Sequence, residues 1–397
     1  MQKRKSVTIQ KKLKSNIWKY FLIMLTNRRN YMPILAIYFL TLANTTAQQI
    51  GLYVGIGWLA GFLLEIPSGY LSDKWGHKRV LVLAKFSMLI STLFFIFGNS
   101  FIYFTLGSIF IAFGFAFTSG TGSAFLHNTL IGLKRENDYG EVQGKIKAKA
   151  SLASAGMILI LPFLTKISLI MPVKIYLIFD VIGIFVAFLL YSPKIKFGAK
   201  DTEGEKIFSQ LKRFKGTGFY TTSIFTGLFG GFIIALSLFK EPFVKSLGLP
   251  IVLVGSIMAL SRVIWFVVGH NLKILKKIKI YKLLFYEIFL FSGIIIISSQ
   301  LKNPYIIVFI LAILIGQYHG QEPIIEEYYL KNFLMNKRYK ATMLSIKQQI
   351  QRLFQSGIAF VLGFVMMISF SSGFLITGIC MLIALLGIYP FLRKYLK

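Results

Sequence analysis

Acidic residues and cysteine are scarce in this chain: 397 residues carry 14 Asp and Glu against 45 Lys and Arg, with 4 His and one Cys. The lone Cys380 allows no disulfide within the chain and no cysteine-based metal cluster. The G-x-x-x-x-G-K-[ST] loop of nucleotide-driven machines is missing, and no Ser/His/Asp or Cys/His set falls on one face. Catalysis, ATP-driven work and a bound cofactor are therefore not expected. Short segments of strict apolar–polar alternation are missing too, which excludes a membrane β-barrel. The net charge of +31 invites a nucleic-acid reading, but such proteins gather their cations on one face. Here the cations sit in short clusters between apolar blocks.

Those blocks dominate what is present. Mean hydropathy is +0.68, and the apolar runs are about 20 residues long, enough for a helix to cross a hydrocarbon layer of roughly 30 Å. Inside lipid the backbone must satisfy its own hydrogen bonds, so these runs read as helices. The spans fall near 20–42, 49–71, 80–98, 101–126, 148–170 and 173–191, then 219–240, 249–270, 280–299, 304–325, 343–368 and 371–391. Breaks come where the turn signals are, at Gly98-Asn99-Ser100, Lys302-Asn303-Pro304 and Ser369–Gly373.

Lysines and arginines fix the orientation. They cluster in the N-terminal tail, in every second connection and at the C-terminus, while the opposite side holds only Lys166, Lys174, Lys240, Lys245 and Lys302. By the positive-inside rule both termini are cytoplasmic. Lys3, Arg4, Lys5, Lys11, Lys12 and Lys14 precede no clean apolar stretch with a cleavage site, since Arg28 and Arg29 follow. Residues 1–19 thus read as a retained tail, 20–191 as a six-helix bundle and 192–218 as a cytoplasmic linker. A second bundle at 219–391 and a tail at 392–397 complete the chain. Gly69 and Gly269, and Gly114 and Gly316, stand at similar offsets in the two halves and suggest a duplicated unit.

The connection after the second span reads Gly69-Tyr-Leu-Ser-Asp73-Lys-Trp-Gly76-His-Lys78-Arg79. It resembles the signature G-x-L-x-D-x-x-G-R-[RK] of the major facilitator superfamily, with His77 in place of the usual Arg. Leu64-Glu65-Ile66-Pro67-Ser68, Ser119-Gly120 and Arg338–Ser345 extend the likeness, the first of these toward bacterial drug-exporter-like members. The resemblance implies twelve transmembrane helices in two pseudo-symmetric bundles, a bacterial cytoplasmic membrane, and a monomer. It assigns Asp73, Lys78 and Arg79 to a latch at the cytoplasmic face, with Gly69 and Gly76 allowing close approach and a tight turn. His127-Asn128 stands where members often carry an acidic latch partner.

Ionisable groups inside spans are functional candidates by default. Arg28 and Arg29 either line a central cavity or snorkel at the interface. His319, Glu322 and Glu326 share a face of the tenth span. Glu322 is the expected proton- or substrate-binding carboxylate, and Glu326 and Glu327 are expected at the solvated rim. A metal site lacks a third ligand in mid-bilayer. Ser345, Gln348, Arg352 and Gln355, flanked by Lys347, Gln349 and Gln351, form a polar stripe expected to line a vestibule. Arg262 is a further cavity candidate, Asp180 a titrating group or the partner of a neighbouring span, and Glu241 an outer cap.

Together these features predict a secondary transporter, proton-coupled and exporting small amphipathic or drug-like compounds by alternating access. Import of an anionic metabolite is the rival reading, and a non-transporting sensor or assembly partner is the rival of another class. In a Cys380→Ser background, single cysteines at Ser209 and Asn332 should react with an impermeant thiol reagent only from the cytoplasm, and one at Asn99 only from outside. Reaction at Asn99 and Ser209 from the same side would contradict the twelve-span order.

Overall fold

A computed structural model describes residues 2–43, 45, 47–193, 214–249, 256–333 and 340–395. Most of the expected linker, with Lys337, Arg338 and the Glu241 side chain, lies outside the described residues. The helices are α1 (Gln2–Thr26), α2 (Met32–Phe39), α3 (Ala47–Trp75), α4 (His77–Phe97), α5 (Phe101–Gly132), α6 (Tyr139–Leu164) and α7 (Met171–Phe188). After the linker come α8 (Phe219–Leu236), α9 (Lys240–Ser246), α10 (Ser256–His270), α11 (Leu272–Leu275), α12 (Ile280–Gln300), α13 (Pro304–Asn332), α14 (Lys340–Ile368) and α15 (Phe370–Arg393). Their ends follow local chemistry. Asn303 Oδ1 accepts from the backbone N–H of Tyr305 and Ile306 at 2.9 and 3.3 Å, with Pro304 opening α13. Ser369 caps α15 through the N–H of Ser372 at 3.0 Å.

Eight of the described helices are long and apolar enough to cross a membrane: α3, α4, α5, α7, α8, α12, α13 and α15. The four other expected spans correspond to the α1–α2 pair, α6, α10 and α14. The first is broken, α6 and α14 carry lysines and glutamines that interrupt the apolar run, and α10 is described over 15 residues only.

Two compact units divide the chain. One comprises Met1–Ile146, Gly156–Glu203 and Leu334–Ile346, the other Lys147–Ala155, Gly204–Phe333 and Lys347–Lys397. Each unit thus takes a short segment from the opposite half of the sequence. In the first, α5 packs on α3 and α4, and α7 on α4 and α1; in the second, α13 packs on α10 and α12, and α15 on α12 and α8. The same pairing order recurs, as duplication requires. The glycine echo does not carry it: a Cβ on Gly114 would meet Met88 of α4, whereas one on Gly316 would meet Ile264 of α10. These are not equivalent neighbours.

The first span departs most from expectation. A single helix over 20–42 is replaced by α1, which is helical from Gln2, a turn at Asn27–Tyr31, and α2. Packing also begins before residue 20, since buried Asn16 donates to Tyr191 O at 2.8 Å and accepts from its N–H at 2.9 Å. Two fully buried groups explain the break. Lys85 of α4 donates to Ile23 O at 3.1 Å, Thr26 Oγ1 at 2.6 Å and Asn27 Oδ1, placing a cation on the carbonyl end of α1. Asp180 of α7 accepts from Arg29 Nη2 at 2.5 Å and from Thr92 Oγ1 at 2.5 Å. A continuous helix could not deliver both Asn27 and Arg29 to these partners.

Arg29 and Asp180 therefore meet each other, which is the neighbouring-span pairing among the alternatives for Asp180. Asp180→Asn should lower stability by about 3–5 kcal/mol, because it strands a buried guanidinium. The double variant Arg29→Met/Asp180→Leu should recover most of that loss in thermal unfolding of the purified protein. A double variant no more stable than the single one would contradict the pairing.

Candidate functional site

In the first unit the loop between α3 and α4 closes on the start of α14. Gly76 adopts φ 98°, a conformation that disfavours side chains, and turns the chain between α3 and α4. Across that turn Ser72 Oγ and His77 Nδ1 share a hydrogen bond of 2.8 Å. Asp73, at the end of α3, accepts from the backbone N–H of Ala341 at 3.2 Å and of Thr342 at 2.8 Å, and from Thr342 Oγ1 at 2.7 Å. A carboxylate here satisfies amides that a helix start leaves unpaired and meets the positive end of the helix dipole. Gly69 and Gly120 make the approach possible: a Cβ on either would lie within 2.6–2.9 Å of Ala341 O and Ser345 Oγ. Buried Lys340 donates to Asn128 Oδ1, so the residue in place of an acidic latch partner still receives a cation, as a neutral acceptor. Lys78 is half-buried and Arg79 exposed, and among the described residues neither forms an ion pair.

In the second unit a cavity of about 30 Å³ lies among α8, α12, α13 and α14. That volume holds one or two waters, since a single water needs roughly 10–15 Å³. Its walls are Phe225, Thr226, Phe229, Leu284, Glu287, Tyr318, Gln321, Glu322, Ile325, Lys347 and Gln351. Glu322 Oε2 accepts from Lys147 Nζ at 3.0 Å, and the same ammonium reaches Glu326 Oε1 at 2.9 Å. Glu326 and Glu327 are not at a solvated rim. Both are buried, and Glu327 pairs with Lys276 at 2.6 Å and Lys331 at 2.8 Å. These lysines offset the desolvation that open water was expected to prevent.

The polar residues of α14 divide between the lining of this cavity and positions outside it. Lys347 and Gln351 line the cavity, while Gln348, Arg352 and Gln355 are half-buried outside its lining. Glycines of α8 set the rotation: a Cβ on Gly227 would lie 3.2 Å from Gln351 Cα, and one on Gly230 2.2 Å from Tyr318 Oη. Gln351 Nε2 donates to Tyr318 Oη at 2.9 Å. Arg262 lies over the Trp265 ring at 5.0 Å, and Trp265 stacks on His319 at 4.7 Å. Arg28, half-buried in the α1–α2 break, and Arg29 belong to the first unit.

Three residues of these networks escaped the sequence reading. Lys85 and Glu287 are single ionisable groups within apolar runs, the signal that should have singled them out. Lys147 falls one residue before the expected fifth span at 148–170. The helix begins at Tyr139, which places Lys147 two turns inside it.

Replacing Asp73 tests the closure on α14. Asp73→Ala leaves buried amides without an acceptor and should cost about 1–3 kcal/mol. Asp73→Asn, which keeps one acceptor oxygen, should cost less. Equal thermal stability of wild type and Asp73→Ala would show that these hydrogen bonds hold nothing.

Comparison with known proteins agrees with this architecture. The family model described as Major Facilitator Superfamily matches residues 20–323. No curated protein matches the chain by sequence. Among solved structures, the E. coli fucose:proton symporter FucP is similar with a TM-score of 0.75 at 18% identity, over 99% of both chains. A bacterial homologue of the iron transporter ferroportin, in its outward-facing state, gives 0.74 at 14% identity over 96% of this chain and 99% of that one. The nucleoside transporter NupG gives 0.64 at 14% identity over 98% and 100%. At such identities the likeness speaks for the fold, and the family match covers most of the chain. This protein is a member of the Major Facilitator Superfamily, an integral multi-pass membrane protein of the twelve-helix, two-bundle fold and a transporter rather than an enzyme.

Proposed function

We propose that this transporter couples the movement of a small organic solute to protons, with Glu322 as the carboxylate that takes and releases the proton. The observation that carries the reading is the sharing of Lys147 between Glu322 and Glu326 at 3.0 and 2.9 Å. A buried ion pair with one partner on each side resists protonation, because neutralising the acid strands the base. Here Glu322 can be neutralised while Lys147 keeps Glu326. Such a pair switches charge at modest cost, as a coupling site must. Asp73 supports the cycle from the other unit: its bonds to the start of α14 form in one state of the transporter and part in another.

Export of amphipathic or drug-like compounds fits the mixed walls of the cavity, where Phe225, Phe229 and Leu284 stand beside Thr226, Tyr318 and Gln351. The cavity is too small for cargo as it stands, so the two bundles alternate between openings to either side. Import of a polar or anionic solute is the second reading. Lys347, Arg262 and Arg352 favour it, and two similar structures are named as a fucose:proton symporter and a nucleoside transporter. The charge pattern favours cytoplasmic termini, and the likeness in the loop motif favours a bacterial cytoplasmic membrane.

Glu322→Gln mimics the protonated form. In proteoliposomes it should reduce pH-gradient-driven flux of a fluorescent lipophilic cation to the level of empty liposomes, yet leave exchange at equal pH within a few fold of wild type. Undiminished gradient-driven flux would move the coupling role elsewhere. Gradient-driven uptake of fucose or a nucleoside, with no response to the cation, would favour import.

A further inference from the structure

Glu287 has no role in the arrangement described so far. It sits mid-way along α12 and is 2% exposed, on the wall of the same small cavity. Among the described residues it makes no ion pair. The Gln321 amide lines the same cavity, and Glu287 Oε1 and Gln321 Oε1 are both buried without a hydrogen-bond partner. Among the described residues, these groups line the cavity with it. From α13 come Tyr318, Gln321 and Glu322; from α14 come Lys347 and Gln351. From α8 come Phe225, Thr226 and Phe229, which bear no charge. Tyr318 Oη already receives Gln351, and the Lys347 ammonium lies 5.8 Å from the Tyr329 ring centroid.

The deficit is therefore of donors. Two acceptor oxygens are left over, and an ionised carboxylate cannot supply what they need. Exchanging the amide oxygen and nitrogen of Gln321 does not help, because the amide oxygen would then face the carboxylate and again lack a proton between them. One added proton resolves it. On Glu287 it removes a buried charge that forms no ion pair among the described residues, and it converts an acceptor into a donor. That donor can serve Gln321 Oε1, directly or through a water, for which the cavity has room.

We infer that Glu287 is a second proton-binding site of this transporter, held neutral in the state seen here and communicating with Glu322 through the cavity they both line. The inference rests on the proton-coupled reading only for its role in transport; the presence of the proton is a separate, measurable claim. The step is a simple proton transfer: an O–H bond forms at Glu287 when a hydronium or a neighbouring acid gives up its proton, and breaks when the cavity opens to water.

Infrared difference spectroscopy on the purified, membrane-reconstituted full chain tests the claim. At neutral pH the wild type minus Glu287→Gln spectrum should contain a protonated-carboxyl C=O stretch that shifts in deuterium oxide. Glu287→Asp, which restores an acid, should restore such a band. A difference spectrum without that band would overturn the inference, whatever the transport data show. Flux then separates the two proposals. If wild-type flux ignores a pH gradient, the coupling reading fails and Glu287 is a protonated acid without a transport role. If wild-type flux responds, Glu287→Gln should lose the response and keep exchange at equal pH, and Glu287→Asp should regain it. A Glu287→Gln variant that responds like wild type would overturn the transport role.

Discussion

Hydrocarbon offers an ionisable side chain nothing to bond to, so each such group within the spans must find its partner on another part of the chain. The architecture follows from how that demand is met. In the first unit the Lys85 ammonium draws three oxygen acceptors from the end of α1, and Asp180 draws Arg29 from the residues just beyond. The broken first span is the geometric result. In the second unit Lys147 draws two glutamates of α13, and Glu327 draws two lysines.

Not all of these pairings behave alike, and the difference separates scaffold from moving part. Arg29 and Asp180 form an ion pair with each other and with no other described residue, so breaking it is costly and it holds elements in place. Lys147 has two carboxylates and can lose one without being stranded. Asp73 is bound to backbone amides, which exchange a carboxylate for water at modest net cost once exposed. Gly69 and Gly120 belong with Asp73, because their lack of side chains brings α14 within its reach.

Much of the fold was legible in the sequence because the lipid imposes a single length scale and the lysines mark one side of it. The breaks at Gly98–Ser100, at Asn303-Pro304 and at Ser369 coincide with helix ends, and Asn303 and Ser369 make side-chain capping bonds there. The loop motif led to Asp73, and the structure supplies the helix start it caps. Partners were far less legible. Nothing along the chain ties Arg29 to Asp180, 151 residues away, or Lys147 to Glu322, 175 residues away. Helical spacing placed the α14 stripe on one face, but the glycines of α8 decide that Lys347 and Gln351, one position earlier, line the cavity. Glu326 and Glu327 looked solvated because Lys147 and Lys276 lie far away in the sequence, and only Lys331 is a neighbour on the same helix.

The central claim is that solute and proton movement are linked through the carboxylates of the second unit. It is tested most directly by recording both at once, in proteoliposomes that hold a pH-sensitive dye and a radiolabelled or fluorescent solute, with no initial pH gradient. Imposing a solute gradient should move protons in fixed proportion to solute, and the proton signal should vanish in Glu322→Gln while solute exchange persists. Solute flux with an unchanged internal pH in the wild type would contradict the account.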